Sequence, residues 1–185
     1  MTKTAILIDG GFYRKRAHKL WGKKSAEERA DELYRYAFRH LDKKDGPLRR
    51  NLYRIFYYDC PPVQSTVYHP LLKKNIDFGK EETYAWTLDF FNALKSKREV
   101  ALRMGKLSNV HPHYILSPEK VKKLCAGTIA VTDLTEQDFR ISFSQKGVDM
   151  RIGIDISSLA YEGIVEQIIL ISGDSDFVPA AKAAR

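Results

Sequence analysis

The run Ile168-Ile169-Leu170-Ile171, followed at once by Ser172-Gly173-Asp174-Ser175-Asp176-Phe177, constrains this chain more than any other stretch. A short unbroken apolar run suits a parallel strand covered on both faces. Gly173 permits a tight exit, Ser175 can cap the helix that follows, and Pro179 falls in that helix's first turn, where a missing N–H costs nothing. Asp174 and Asp176 are therefore expected at the carboxyl end of a strand. In open α/β sheets that end faces the crevice where ligands bind.

The same order of strand, aspartate, glycine and helix opens the chain. Thr4 to Ile8 is a β-type run ending at Asp9, then Gly10-Gly11 leads into a helical pattern through Leu20. Ser25 begins a second helix with Glu28 as its capping-box partner, and Ala30, Leu33, Tyr34, Ala37 and Leu41 form its apolar stripe. Asp45-Gly46-Pro47 stops it. Leu52 to Tyr58 reads as the next strand and ends at Asp59. Pro61 to Phe78 reads as a loop. Lys80 to Lys97 reads as a helix with Tyr84, Leu88, Phe91 and Leu94 on one side, and Val100 to Met104 as a strand.

Between Gly105 and Gln145 the alternation breaks. His113 to Leu116 and Phe139 to Phe143 look like strands, and Ser117-Pro118 starts a short helix, so residues 105–145 are expected to be an insertion on the main sheet. Gly147 to Tyr161 is helical, with Val148, Ile152, Ile156 and Leu159 toward the core. The last helix runs for about ten residues where a β-α alternation would continue into another strand. The expectation is a truncated chain or an absent edge strand, and an open edge that either favours self-association into a homo-oligomer or is covered by part of the Gly105 to Gln145 insertion.

At 185 residues and 44% apolar content the chain is expected to form one domain with a sizeable core. No run approaches the roughly 18 to 20 apolar residues of a membrane span, and the amino terminus enters a strand instead of a signal segment, which suggests a cytoplasmic protein. Cys60 and Cys125 lack zinc or disulfide spacing and read as buried free thiols. The formal charge of +8 favours a polyanionic partner. From Gly10 to Ala26 there is no acid, while Arg14, Lys15, Arg16, Lys19, Lys23 and Lys24 crowd that stretch. Arg14, Lys15, Arg16 and Lys19 are the candidate nucleic-acid contacts; the competing reading is a solvated helix face.

Asp9, Asp149, Asp174 and Asp176 occupy equivalent places around the carboxyl ends of parallel strands. Each alone could cap a turn. Gathered together without matching cations, they imply a hard ion such as Mg²⁺ or Mn²⁺. For a phosphodiester such ions polarise the phosphoryl oxygen, lower the pKa of a bound water and steady the leaving oxygen.

Ile8-Asp9-Gly10-Gly11, then Lys146-Gly147-Val148-Asp149 with Asp155 downstream, then Ser172-Gly173-Asp174-Ser175-Asp176-Phe177, resembles the NYN branch of the PIN-like nucleases, in particular its LabA-like group. The order spans nearly the whole chain. The resemblance implies a three-layer α/β/α, Rossmannoid PIN-like fold with a mainly parallel central sheet. It also implies a metal-dependent phosphodiesterase acting most often on RNA, with DNA as an alternative, and carries Asp9, Asp149, Asp174 and Asp176 over as acidic metal-site positions. Many members have Asn where Phe12 stands or nearby.

Helix geometry puts Asp155 on the side of Val148 and Leu159, about 120° from Asp149. It is read as orienting Lys146 or a metal-bound water, or as bonding a neighbouring backbone group. Lys146 can hold a scissile phosphate as a point charge, against an ordinary solvated lysine. Asp59 ends a more lateral strand and is expected outside the site, and His111 and His113 read as loop residues. The leading function is thus a metal-dependent, endonucleolytic ribonuclease using two-metal-type water activation. Its rivals are a non-cleaving nucleic-acid-binding or scaffold protein and a haloacid-dehalogenase-type phosphatase. The latter needs a second Asp two residues after the first, where this chain has Gly11.

Overall fold

The computed structural model describes residues 2–42, 51–108 and 112–185. In chain order its strands and helices are β1 (Lys3–Asp9), α1 (Gly10–Trp21), α2 (Ala26–Arg39), β2 (Asn51–Asp59), β3 (Thr66–His69), β4 (Lys74–Asp77), α3 (Glu82–Lys95), β5 (Val100–Met104), β6 (Lys106–Leu107), β7 (His113–Leu116), α4 (Pro118–Cys125), β8 (Phe139–Ser142), β9 (Gln145–Lys146), α5 (Val148–Tyr161), β10 (Gln167–Ile171) and α6 (Val178–Ala183). The stop expected at Asp45-Gly46-Pro47, and His111, lie outside the described residues. The chain divides into two compact units, Met1–Pro61 with Trp86–Lys106 and Lys146–Arg185, and Pro62–Ala85 with Leu107–Gln145.

The first unit is built on a four-stranded parallel sheet of order β10-β1-β2-β5. Its alternating side chains feed two cores, as a sheet covered on both faces requires. Ile6 and Ile8 of β1 with Ile55 and Tyr57 of β2 meet α1, α2 and α3 through Tyr13, Ala17, Ala30, Leu33, Phe90 and Leu94. Ala5 and Leu7 with Phe56 and Tyr58 meet α5 through Ile152, Ile156 and Leu159, and Phe177 joins them. The result is the three-layer α/β/α arrangement expected from the sequence. The chain travels from β1 to β2 to β5 in one direction, then returns to place β10 on the far side of β1. The reversal in strand order between β1 and β10 opens a crevice at their carboxyl ends.

Helix α2 forms as its capping box dictates: Glu28 N–H donates to Ser25 Oγ at 3.2 Å, and Ser25 N–H donates to the Glu28 carboxylate at 3.0 Å. Helix α3 is rotated from the face expected. Thr87, Phe90, Phe91 and Leu94 are buried, whereas Leu88 is 38% exposed. Aromatic packing sets this rotation, because Phe90 stacks on Trp86 at 5.2 Å and meets Tyr57 edge-on at 5.6 Å. Trp86 Nε1 also donates to the Lys24 carbonyl at 3.0 Å.

The second unit contains two antiparallel pairs, β3 with β4 and β7 with β8. The 105–145 insertion expected from sequence supplies all of its second segment, Leu107–Gln145, while Gly105 and Lys106 belong to the first unit. The Pro61–Phe78 loop expected there instead contains the β3–β4 hairpin, joined by Pro70 to Lys73, with Lys73 in the left-handed region at φ 51°. Val67 and His69 alternate inward with the exposed Tyr68 between them, a pattern of three residues that is easily lost beside prolines. The His69 ring packs against Tyr114 at 4.2 Å and Phe139 at 5.2 Å.

Candidate active site

At the mouth of the crevice, register pairs Ile8 with Ile171, so Asp9 and Ser172 leave adjacent strands side by side. Asp9 is the N-cap of α1. Its Oδ1 accepts from the Phe12 N–H at 3.1 Å, and its Oδ2 accepts from the Ser172 hydroxyl at 3.0 Å. Ser172 Oγ in turn accepts from the Asp174 N–H at 3.2 Å, and Asp174 Oδ1 accepts from the Asp176 N–H at 2.9 Å. This chain of bonds fixes the turn that carries the two aspartates. The cap expected from Ser175 is made by Asp174, one residue earlier, because the chain first forms a 3₁₀ turn over Ser175–Phe177 before α6 begins.

Gly173 supplies room, not an unusual dihedral. A Cβ there would lie 2.5 Å from Phe12 Cε2 and 2.7 Å from its Cδ2. Gly10 is equally confined, since its Cβ would meet Asp59 Oδ2 and the Tyr57 hydroxyl at 2.6 Å each. The glycines after β1 and β10 therefore let the two strand ends close on their neighbours.

Asp149 lies in the first turn of α5, after Gly147 takes φ 84° in the left-handed region. Burial raises the Asp149 carboxyl above its ordinary value, and the negative charges of Asp9, Asp174 and Asp176 raise it further. Asp149 thus lies within electrostatic reach of the other three aspartates singled out from sequence. Their oxygen donors have the chemistry a hard divalent cation selects. Among the described residues, however, no three carboxylate, imidazole or thiol groups converge closely enough to hold a metal ion as they stand. Asp174 and Asp176 are exposed, and Asp9 commits one lone pair of each oxygen to its neighbours.

Asp59 lies nearer the site than its lateral strand suggested. It is 2% exposed, and it accepts from Arg14 Nη2 at 2.9 Å, the Tyr57 hydroxyl at 3.1 Å and the Cys60 N–H at 2.8 Å. Burial raises its pKa while Arg14 lowers it, and the charge of Asp9 adds to the rise. The carboxylates are consequently not without a cation. Arg14 faces inward to Asp59 and is half-buried, while Lys15, Arg16 and Lys19 of the same helix are exposed. A helix that buries Gly10, Tyr13 and Ala17 turns position 14 toward the sheet, which a count of basic residues does not reveal.

Asp155 bonds neither Lys146 nor a backbone group among the described residues. It accepts from the Tyr58 hydroxyl at 2.7 Å and pairs with Arg103 Nε at 3.1 Å, tying α5 to β2 and β5. Arg103 also lies over the Phe56 ring at 5.1 Å. Lys146 is exposed. Of the thiols, Cys60 is buried and Cys125 is exposed, so only the first matches the burial expected of both. Ser172, Arg103 and Tyr58 were not singled out in the sequence. A serine two residues before Asp174 was the one available signal for the first; the other two arise from strand pairing.

No helix among the described residues is long and apolar enough to cross a membrane. No curated protein and no solved structure matches the chain. A family model described as NYN domain matches residues 90–185. That span is just over half of the chain and holds Asp149, Asp155, Asp174 and Asp176, while Asp9 and α1 lie before it. The parallel sheet of the first unit, its crevice between β1 and β10 and this match agree: the chain belongs to the NYN domain family, within the PIN-like nuclease superfamily.

Proposed function

We propose that this protein is a metal-dependent, endonucleolytic ribonuclease of the LabA-like group, acting in the cytoplasm with Mg²⁺ or Mn²⁺. The observation that carries the reading is the electrostatic influence of Asp9, Asp174 and Asp176 on Asp149 at the switch point of the sheet. A divalent cation would relieve the repulsion that Asp149 meets from its neighbours, and the four aspartates, drawn closer together, would hold it. When bound, such ions lower the pKa of water and offset charge on the phosphoryl group.

The chain's own residues divide the remaining work. Ser172 keeps Asp9 turned toward the Asp174 turn, Asp155 with Tyr58 and Arg103 holds α5 and hence Asp149, and Arg14 offsets the buried charge of Asp59. Lys15, Arg16 and Lys19 face solvent and draw the RNA backbone by charge, without regard to sequence. Lys146 in the two-residue strand before Asp149 is assigned to the scissile phosphate as a point charge. DNA is the alternative substrate.

Labelled single-stranded RNA incubated across a Mg²⁺ or Mn²⁺ titration, with single-stranded DNA and a small phosphate ester as controls, tests this. Cleavage that needs the metal and is lost in Asp149→Asn is expected. RNA binding without cleavage at any metal concentration would favour the non-cleaving reading, and hydrolysis of the small ester alone would favour a phosphatase.

A further inference from the structure

Helix α5 carries a second face that the proposed active site does not use. Met150 is 71% exposed, Ile154 56% and Tyr161 95%. At about 100° per residue these three fall within about 40° of one another, roughly opposite the buried Ile152, Ile156 and Leu159. Single exposed apolar residues are ordinary, but three aligned along one helix form a stripe that no described residue covers. Gly153 and Ser157 lie beside it, and a Cβ on Gly153 would meet nothing within 4 Å.

We propose that this stripe is the interface of a homodimer in which α5 packs antiparallel against α5 of a second copy. Charge along the helix selects both the occupant and the direction. Arg151 and Glu162 are exposed on the same flank, near opposite ends of the stripe, and neither side chain has an ion-pair partner among the described residues. A two-fold axis crossing the helix between positions 155 and 156 sets Met150 beside Tyr161 and brings Arg151 of each copy to the same side of the seam as Glu162 of the other, offset by about 3 Å along the helix, within reach of the two long side chains. Ile154 then faces Ser157, where small side chains allow close approach. A parallel pairing would instead put the two copies of this flank on opposite sides of the seam, where neither charge meets its opposite. One helix face is a small interface, so the dimer is weak and forms in the micromolar range or above.

Sedimentation of the whole chain over a concentration series tests this, with far-UV circular dichroism to establish that each variant is folded. A reversible dimer is expected. Ile154→Glu should abolish it, Arg151→Glu should weaken it by roughly tenfold, and Arg151→Glu combined with Glu162→Arg should restore it. If Ile154→Glu does not fold, the charge exchange decides alone. A monomer at every concentration overturns the proposal. So does a dimer indifferent to the folded Ile154→Glu variant or one that the double exchange fails to rescue, results that would point to another surface such as the free edge of β10.

Discussion

Replacing Gly173 with alanine tests whether the Asp174 turn depends on its close approach to Phe12. The added Cβ would lie 2.5 Å and 2.7 Å from two ring carbons of Phe12, far inside van der Waals contact. Phe12 is half-buried and packs on the core shared by α1 and α2, and its N–H is the donor that holds Asp9 Oδ1. Either the ring or the turn must move. Overpacking of this kind costs about 1–3 kcal/mol, a fall in Tm of about 2 to 12 °C for a chain of this size. Both movements separate Asp9 from Asp174, so metal-dependent cleavage should fall more steeply than stability. Truncating the ring with Phe12→Ala carries its own cost but removes the clash. The double variant should therefore be more stable than the sum of the two single changes by about 1 kcal/mol or more, read from urea midpoints. Strict additivity, or a Gly173→Ala protein as stable as the parent, would refute the packing argument.

Asp174→Asn should eliminate metal-dependent cleavage while leaving the metal-free protein at least as stable, since it removes one of the charges that raise Asp149; near-parental turnover at saturating Mn²⁺ would remove Asp174 from the metal site. Replacing Lys15, Arg16 and Lys19 together should weaken binding to all RNA sequences alike and lower the slope of log K against log salt by about 3 units, one for each phosphate no longer neutralised, whereas an unchanged slope returns these residues to a solvated face. Burial pushes the Glu32 carboxyl up, but hydrogen bonds from Lys24, Arg29 and Tyr13 outweigh it and hold the carboxyl below its usual value. Its stabilisation is therefore present above the ordinary carboxylate pKa and lost as pH falls through the depressed one, so Glu32→Gln should flatten the acid limb of a stability profile taken from neutral pH down to about pH 3. Tyr58→Phe leaves Asp155 its pairing with Arg103 and should cost about 1 kcal/mol, whereas Asp155→Ala strands both partners and should cost more; equal losses in thermal melts would show that the two bonds do not act as one network.

What the sequence disclosed was periodic or local. Runs such as Ile168 to Ile171 announce buried strands, and a capping box needs only the four residues from Ser25 to Glu28. Because parallel strands bring their carboxyl ends to one side, Asp9 and Asp174 could be placed together without coordinates. Interactions set by rotation or by sheet neighbours were not legible. The direction of Arg14 depends on which side of α1 is buried, and the link from Asp155 to Tyr58 and Arg103 requires three elements 45 or more residues apart to meet. The β3–β4 hairpin was hidden because strands of four residues on either side of Pro70 carry too little alternation to outweigh turn signals.

Charge shows the same limit, because a total has no address. In the second unit Lys73, Lys74, Lys80, Lys120, Lys122, Lys123 and Arg140 are balanced by Asp77, Glu81, Glu82, Glu119, Asp133, Glu136 and Asp138. The whole excess of +8 therefore belongs to the first unit, which also carries the aspartate crevice. A positive surface and a local negative cluster on one unit are compatible only if the two act at different ranges. The exposed cations of α1 draw a polyanion from a distance of about one Debye length, near 8 Å at physiological salt. The crevice repels phosphate at close range until its carboxylates are neutralised. Arg14 cannot supply that neutralisation, since its guanidinium is committed to the buried Asp59. Backbone affinity and metal dependence should accordingly separate: RNA association should survive chelation of divalent ions and fall with salt, while cleavage should follow the metal.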